Sequence, residues 1–220
     1  MSIKLSGPML PPKSGKPPTQ AVVLLHGYGS DGNDLIGLAP YWQGTLPDAL
    51  FVAPDGPTQC DGFASGYQWF EIDFAGDRLA SRQTGVVNAR PILTQFLSDM
   101  WAQTGITPEN TILAGFSQGA MMALHVGLSL DTPLMGIIAF SGALLPPENF
   151  DAPDHKKTPV CLVHGDMDDV VAPELSAEAH DVLTKAGYDV KYHVSTGTSH
   201  SIAADGLTFA TDFIAGLITK

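Results

Sequence analysis

Ser117 lies in the stretch 115–119, Gly-Phe-Ser-Gln-Gly, which fits the GxSxG pattern. An apolar, strand-like run, 111–114, precedes it and a helix-like run, 120–130, follows it. A serine on a sharp turn between a buried strand and a helix is pushed clear of the sheet, and the helix N-terminus offers a backbone N–H to an oxyanion. The two glycines fit a strained backbone that has no room for a Cβ. This context predicts that Ser117 is a nucleophile.

A serine nucleophile needs a histidine base, and the base needs an acid that fixes its tautomer. Of the seven histidines, His125 lies about 12 Å along the helix that follows Ser117, at 1.5 Å per residue, and is too far away. His26 precedes the nucleophile, whereas after this kind of turn the acid and then the base follow it. His200, between the last predicted strand and the final helix, is therefore the predicted base. Three others are interpreted as solvated or core histidines: His155, His180 and His193.

The acid is expected in a loop between Ser117 and His200. The predicted strand 160–163 is followed by His-Gly-Asp-Met-Asp-Asp-Val-Val. The loop has three carboxylates, and chemistry alone does not choose among them because aspartates also cap turns and helix N-termini. The candidates are Asp166, Asp168 and Asp169.

Four stretches occur in the order and spacing of the phospholipase/carboxylesterase family, which includes the acyl-protein thioesterases. They are Leu25-His26-Gly27-Tyr28-Gly29, the GFSQG run at 115–119, the HGDMD run at 164–168, and Ser199-His200-Ser201. The resemblance extends from about residue 21 to the C-terminus. It implies an α/β-hydrolase fold and a Ser-His-Asp triad whose acid, the second Asp of HGDxD, is Asp168. Asp169 stands where many members carry Pro, so it remains the alternative acid.

The resemblance also implies an oxyanion hole made by the backbone N–H groups of Tyr28 and Gln118. Each N–H aimed at the charged oxygen of a tetrahedral intermediate contributes on the order of 10² to 10³ in rate. The Trp69-Phe70 pair resembles a segment that lines the acyl pocket, and the loop 75–82 resembles its rim. Simple packing in the core is the alternative for the two aromatic residues.

Composition narrows the class of protein. At 220 residues, the chain is expected to form a single domain, 1–220, with 1–20 as an arm and loop. A net charge of −12 repels nucleic acid and anionic lipid headgroups. Only two cysteines, Cys60 and Cys161, argue against a disulfide framework or a zinc site, and we expect no metal and no cofactor. With no signal peptide, no membrane span and no cysteine before Cys60 as a lipid anchor, a cytoplasmic protein is expected.

Apolar runs alternate with amphipathic stretches along the chain, which predicts a mostly parallel, doubly wound α/β sheet with helices on both faces and no large cap domain. The predicted strands are 21–25, 49–53, 111–114, 135–140, 160–163 and 190–194. The predicted helices are 83–103, with a kink at Pro91, and 121–130, 173–186 and 202–217.

Two other functions compete with the esterase interpretation. Residues 27–32 satisfy GxGxxG after a strand, and Asp55 follows the next strand, as in NAD-type dinucleotide binding. Asp31 and Asp34, however, crowd the place of a pyrophosphate. A hydrolase-fold protein that binds a ligand without turnover typically lacks a triad member.

The protein is thus predicted to be a serine carboxylesterase that acts on small-molecule esters with short to medium acyl chains. Acyl thioesters and lysophospholipids use the same acyl-enzyme chemistry and stay open as substrates. The sequence also leaves the oligomeric state open, a homodimer included.

Overall fold

A computed structural model describes residues 4–61, 66–73 and 77–219 of the chain. The strands are β1 (Met9–Leu10), β2 (Gln20–Leu25), β3 (Ala49–Val52), β4 (Thr58–Gln59), β5 (Tyr67–Gln68), β6 (Thr111–Phe116), β7 (Gly136–Phe140), β8 (Val160–Gly165) and β9 (Val190–Ser195). The α-helices are α1 (Gly32–Leu35), α2 (Ala39–Trp42), α3 (Arg78–Thr104), α4 (Gln118–Gly127), α5 (Glu174–Lys185) and α6 (Ala204–Ile218). Two 3-10 turns, Ile36–Leu38 and Pro108–Asn110, complete the set.

Seven strands form the main sheet in the order β1-β3-β2-β6-β7-β8-β9. All neighbours are parallel except β1, which pairs antiparallel with β3. Residues of β6, β7 and β8 are almost all buried, as expected for parallel strands covered on both faces. The edge strand β9 instead mixes exposed and buried residues. The predicted mostly parallel α/β sheet is confirmed.

Helices cover both faces of the sheet, and each face has its own apolar core. On one face, Leu93 of α3, Met122 of α4 and Leu183 of α5 are buried in a shared cluster. On the other, Trp42 of α2 and Ile214 of α6 are buried in a second cluster. This layering is the two-sided arrangement that continuous apolar strands require.

The start of α3 corrects the predicted rim loop at 75–82. The helix begins at Arg78 rather than at residue 83, because the side chain of Asp77 accepts the N–H groups of Leu79 and Ala80 at 3.0 Å and caps its first turn. Residues 78–82 are therefore helical, whereas 75–76 lie outside the described residues. The helix continues through Pro91 and ends at Thr104, and the following Gly105, whose φ of 73° is left-handed, caps it.

The remaining differences are in short elements and helix ends. Part of the predicted N-terminal arm is β1, where Met9 lies opposite Val52 and Leu10 opposite Phe51. The helix after Ser117 begins at once, at Gln118 rather than at residue 121, and ends at Gly127. Within the described residues, no helix is long and apolar enough to cross a bilayer.

Candidate active site

The turn between β6 and α4 holds Ser117 in a strained conformation. Its φ of 53° and ψ of −114° are rare for a residue with a side chain, and its N–H donates to the carbonyl of Phe140 at 2.9 Å. The flanking glycines are confirmed as a steric requirement. A Cβ on Gly115 would lie 2.3 Å from Gly119, and one on Gly119 would lie 2.0 Å from the carbonyl oxygen of Leu25. Helix α4 therefore rests directly on the end of β2.

The structure brings Ser117, His200 and Asp168 into one hydrogen-bonded chain. His200 Nε2 lies 2.9 Å from Ser117 Oγ, and His200 Nδ1 lies 2.7 Å from Asp168 Oδ2. A carboxylate only accepts, so Nδ1 donates to Asp168 and Nε2 is left to accept the serine hydroxyl. The imidazole also packs against Phe116, with ring centroids 4.8 Å apart. The three residues lie 83 and 32 positions apart in the chain, and the ends of neighbouring parallel strands place them together.

Asp168 is held on both of its oxygens. Oδ1 accepts the backbone N–H groups of Val170 and Val171, each at 2.9 Å. Burial alone would raise the pKa of Asp168, but the hydrogen bond from His200 and these two N–H groups outweigh burial and lower the pKa below its usual value. The carboxylate is therefore ionised at neutral pH, as an orienting acid must be.

The other two carboxylates of this loop do not reach His200. Asp169 is exposed, and Asp166 Oδ1 accepts the N–H of Gly197 at 2.6 Å. Of the alternatives that chemistry left open, the geometry therefore favours Asp168.

His26, rejected as a base, lies at the end of β2 and is fully buried. Its Nε2 accepts the N–H of Gly56 at 2.8 Å, and its Nδ1 lies 2.7 Å from the carbonyl oxygen of Gly27 and so donates to it. Burial lowers the pKa of His26 below its usual value, although the Gly27 bond and nearby carboxylates act against this. The carbonyl of Gly27 belongs to the same planar peptide unit as the N–H of Tyr28. The ring of His26 thus fixes the orientation of the Tyr28 N–H.

The loop after β2 lies against the nucleophile. A Cβ on Gly27 would be 3.4 Å from the Cβ of Ser117. Because β2 and β6 are adjacent and parallel, with Leu25 opposite Gly115, the peptides that follow them meet at the same edge of the sheet. Tyr28, in the loop after β2, and Gln118, the first residue of α4, are the two predicted oxyanion-hole residues and therefore both lie beside Ser117.

The side chain of Gln118 is a feature that the sequence did not reveal. It is buried, and its amide forms two hydrogen bonds with one short segment: Oε1 accepts the N–H of Trp69 at 2.8 Å, and Nε2 donates to the carbonyl of Phe70 at 2.7 Å. Trp69 Nε1 in turn donates to the carbonyl of His26 at 2.9 Å. These three hydrogen bonds connect the turn at Ser117 to the segment after β5 and to the end of β2.

Trp69 and Phe70 are 2% and 6% exposed and belong to the apolar core. A Cβ on Gly85 of α3 would lie 2.4 Å from the Phe70 ring, so the aromatic side chain and the helix are in direct contact. Both residues also form part of the wall of a cavity of about 600 Å³. Core packing is thus a clear role for the pair, and contact with an acyl chain stays a prediction.

The GxGxxG stretch at 27–32 has a structural explanation. The side chain of Asp31 accepts the N–H groups of Asn33 and Asp34 at the start of α1, where a pyrophosphate would have to bind. Asp55 Oδ1 accepts the N–H of Gly32 at 2.8 Å. The acidic side chains therefore organise the turn itself, which argues against the dinucleotide alternative.

Comparison with known proteins identifies the family. A profile of the phospholipase/carboxylesterase family matches residues 12–218. The chain belongs to this family. Acyl-protein thioesterase 1 of Saccharomyces cerevisiae is 33% identical over 218 residues, which cover 90% of this chain and 93% of that protein. Esterase YpfH of Escherichia coli K12 is 30% identical over 207 residues, covering 93% and 86%.

A comparison with solved structures supports the same family and fold for this chain. The crystal structure of esterase PE8 matches with a TM-score of 0.92 and 52% sequence identity, covering 98% of this chain and all of that one. The family resemblance, the α/β-hydrolase fold and the enzyme class that the sequence predicts, a serine hydrolase of ester bonds, are confirmed.

Proposed function

We propose that the protein is a serine carboxylesterase that hydrolyses short to medium acyl esters through Ser117, His200 and Asp168. The observation that carries this proposal is the hydrogen-bonded chain from Ser117 Oγ through His200 to Asp168, at 2.9 and 2.7 Å. Its order and polarity are those needed to activate a serine hydroxyl. Membership of the phospholipase/carboxylesterase family supports the same reaction class.

In the proposed reaction, Ser117 Oγ attacks the ester carbonyl while His200 Nε2 takes the hydroxyl proton. The imidazolium, stabilised by Asp168, returns that proton to the leaving alkoxide, and an acyl-Ser117 ester remains. Water then attacks the acyl-enzyme with His200 again as the base, and the carboxylic acid and free enzyme result. The same steps serve a thioester, whose leaving group is a thiolate.

The charged oxygen of each tetrahedral intermediate would be bound by the backbone N–H groups of Tyr28 and Gln118. The position of Gln118 at the first turn of α4 supports this role, because N–H groups there point outward along the helix dipole. For Tyr28, the support is the hydrogen bond from His26 to the Gly27 carbonyl, which fixes the peptide plane.

A fluorophosphonate probe tests the nucleophile. We expect one label per chain, located at Ser117 by peptide mass mapping, with complete loss of nitrophenyl acetate hydrolysis. Ser117→Ala should take no label and should lose roughly 10⁶ in kcat, as for other hydrolases of this type. A matched control is Ser98→Ala, because Ser98 is an exposed serine of α3. Labelling at another serine, or undiminished turnover by Ser117→Ala, contradicts the proposal.

A further inference from the structure

Asp168 Oδ2 has a second imidazole beside it. His164 Nε2 lies 3.1 Å from this oxygen and 2.9 Å from the carbonyl oxygen of Val171. Both neighbours are acceptors, so Nε2 carries the proton and donates to them. The side chain of His164 is fully buried, so it does not touch substrate. The carboxylate therefore accepts from His200 and His164 on Oδ2 and from two backbone N–H groups on Oδ1.

The opposite nitrogen of His164 determines its tautomer. Nδ1 lies 2.5 Å from Ser176 Oγ in the first turn of α5, and Ser176 is itself 3% exposed. The other acceptor near this hydroxyl, the carbonyl of Gly142, is 3.4 Å away. The shorter contact favours donation from Ser176 into Nδ1, and this donation keeps the proton of the ring on Nε2, toward Asp168.

We propose that His164 and Ser176 form a positioning pair that holds the carboxylate of Asp168 in line with His200. The inference rests on the proposed function, since it concerns the acid of that site. Without the ring, Oδ2 would accept a hydrogen bond from His200 alone. The carboxylate could then rotate about the Cβ–Cγ bond of Asp168, because only the two N–H groups on Oδ1 would hold its other side. With the ring in its other tautomer, a bare lone pair would face the carboxylate and repel it. The pair connects α5 to the chemistry although neither residue contacts the reacting atoms.

Other charged groups near Asp168 do not duplicate this role. On the same loop, Asp166 accepts the N–H of Gly197 and Asp169 is exposed. On α5, Glu174 is exposed. Within the described ranges, the imidazoles of His164 and His200 are the side-chain donors that the structure records on the carboxylate of Asp168.

Two substitutions of His164 in the full-length enzyme separate positioning from packing. His164→Gln keeps an N–H donor near the position of Nε2, whereas His164→Leu fills the space without one. We expect His164→Leu to lower kcat about 10- to 100-fold, the range for loss of a hydrogen bond to a charged group. KM should change less than about twofold, because the pair lies away from substrate. His164→Gln should recover most of the lost kcat.

The pH profile supplies a readout that packing would not move. Without the His164 ring, Asp168 can turn away from His200 and the imidazolium loses stabilisation, so the acidic limb of the kcat profile should shift to lower pH in His164→Leu. His164→Gln should keep the wild-type limb. Equal kcat for the Leu and Gln variants, or an unchanged pH profile in the Leu variant, overturns the proposal.

Ser176→Ala covers the case in which His164→Leu does not fold. Alanine is a good helix former, so the variant should keep the wild-type circular dichroism spectrum. We expect a three- to tenfold loss of kcat on the order of one neutral hydrogen bond, with KM unchanged, against no loss in the control Ser98→Ala. Wild-type kcat in Ser176→Ala contradicts the pair. An active Ser117→Ala would instead refute the proposed function, so the two failures are distinguishable.

Discussion

The same dipeptide, His-Gly, stands at the carboxyl ends of two strands of the sheet, and it has a different role at each end. Strand β2 ends before His26-Gly27, and β8 ends in His164-Gly165. Both histidines are fully buried. The ring of His26 bonds only to backbone among the described residues, at Gly27 and Gly56, whereas the ring of His164 bonds to the side chains of Asp168 and Ser176 and to one carbonyl.

The comparison teaches that one local sequence pattern can support two kinds of chemical group. At the β2 end, the histidine orients a peptide whose N–H would bind an oxyanion. At the β8 end, the histidine orients a carboxylate. A backbone N–H survives every substitution except that by proline, but a carboxylate is lost with a single change. The β8 end should therefore be the more sensitive of the two to mutation.

Of the substitutions at the two strand ends, Asp168→Asn at the β8 end is expected to have the largest effect. The amide cannot fix the tautomer of His200 or stabilise its cation, and kcat should fall roughly 10⁴-fold. Asp169→Asn is the matched control, since this exposed neighbour makes the same change of charge on the same loop, and it should stay within about twofold of wild type. Steady-state hydrolysis of nitrophenyl acetate measures both. A reversed result would assign the acid to Asp169.

The long elements and the candidate nucleophile and base, Ser117 and His200, could be predicted because both leave strong local signals. Buried parallel strands such as β6 and β8 are continuous apolar runs, and the nucleophile and the base occur in a chain order that the fold fixes. Asp168 was chosen among three carboxylates only through the family resemblance. Two-residue strands such as β1 have no period to detect. The start of α3 depended on which of several acidic residues caps it, and Asp77 could not be singled out.

Contacts between distant residues could not be predicted in the same way. The Gln118 amide reaches Trp69 and Phe70, which are 49 and 48 positions away. His164 reaches Ser176 on the next helix. A glutamine or a serine carries no sign in its local sequence that it will be buried, because the tertiary packing that buries it is set elsewhere in the chain. The repeated His-Gly pair was the one available signal for His26 and His164.

A smaller effect is expected at the β2 end. His26→Asn keeps a donor near the Nδ1 position for the Gly27 carbonyl, whereas His26→Ala removes it. We expect His26→Ala to lower kcat about 10²-fold, the low end for loss of one oxyanion donor, since the Tyr28 N–H is misoriented rather than removed. His26→Asn should lose clearly less. Equal losses in the two variants would show that the Gly27 bond does not position the peptide. Thermal unfolding checks that both variants fold.

Acyl length is expected to depend on Trp69 and Phe70, the pair that resembles the acyl-pocket segment of the family, and Trp69 is hydrogen-bonded to His26 at the β2 end. For a series of nitrophenyl esters, kcat/KM should rise by up to about fourfold per buried CH₂ and then level off. Phe70→Leu should move that plateau, whereas Asp169→Asn should not.

Anionic phosphatidylglycerol vesicles should not activate an enzyme of net charge −12. A continued rise to long chains, or strong activation by the vesicles, would indicate a lipase or a membrane-acting phospholipase.

The smallest expected effect is on the pH dependence of stability, and it distinguishes a histidine that is only buried from one that also positions the site. His125 of α4 is buried like His26, but it lies away from both ends: its Nδ1 donates to the carbonyl of Leu145 at 2.7 Å, and its Nε2 has no partner among the described residues. Burial lowers the pKa of His125 below the usual value near 6.5. Below about pH 6.5 the unfolded chain therefore binds a proton that the folded chain does not, and stability falls as pH falls.

This linkage predicts a loss of up to about 1.4 kcal/mol between pH 7.5 and 5.5 for each such histidine. His125→Gln should reduce the difference in unfolding free energy between these two pH values and leave kcat unchanged. His26→Gln should reduce that difference as well, but with a loss of kcat, because it alters the peptide of Tyr28. Urea unfolding at both pH values, with nitrophenyl acetate turnover, makes the comparison. If His125→Gln lowers kcat as much as His26→Gln, then burial alone, and not contact with the oxyanion loop, explains the effect of His26.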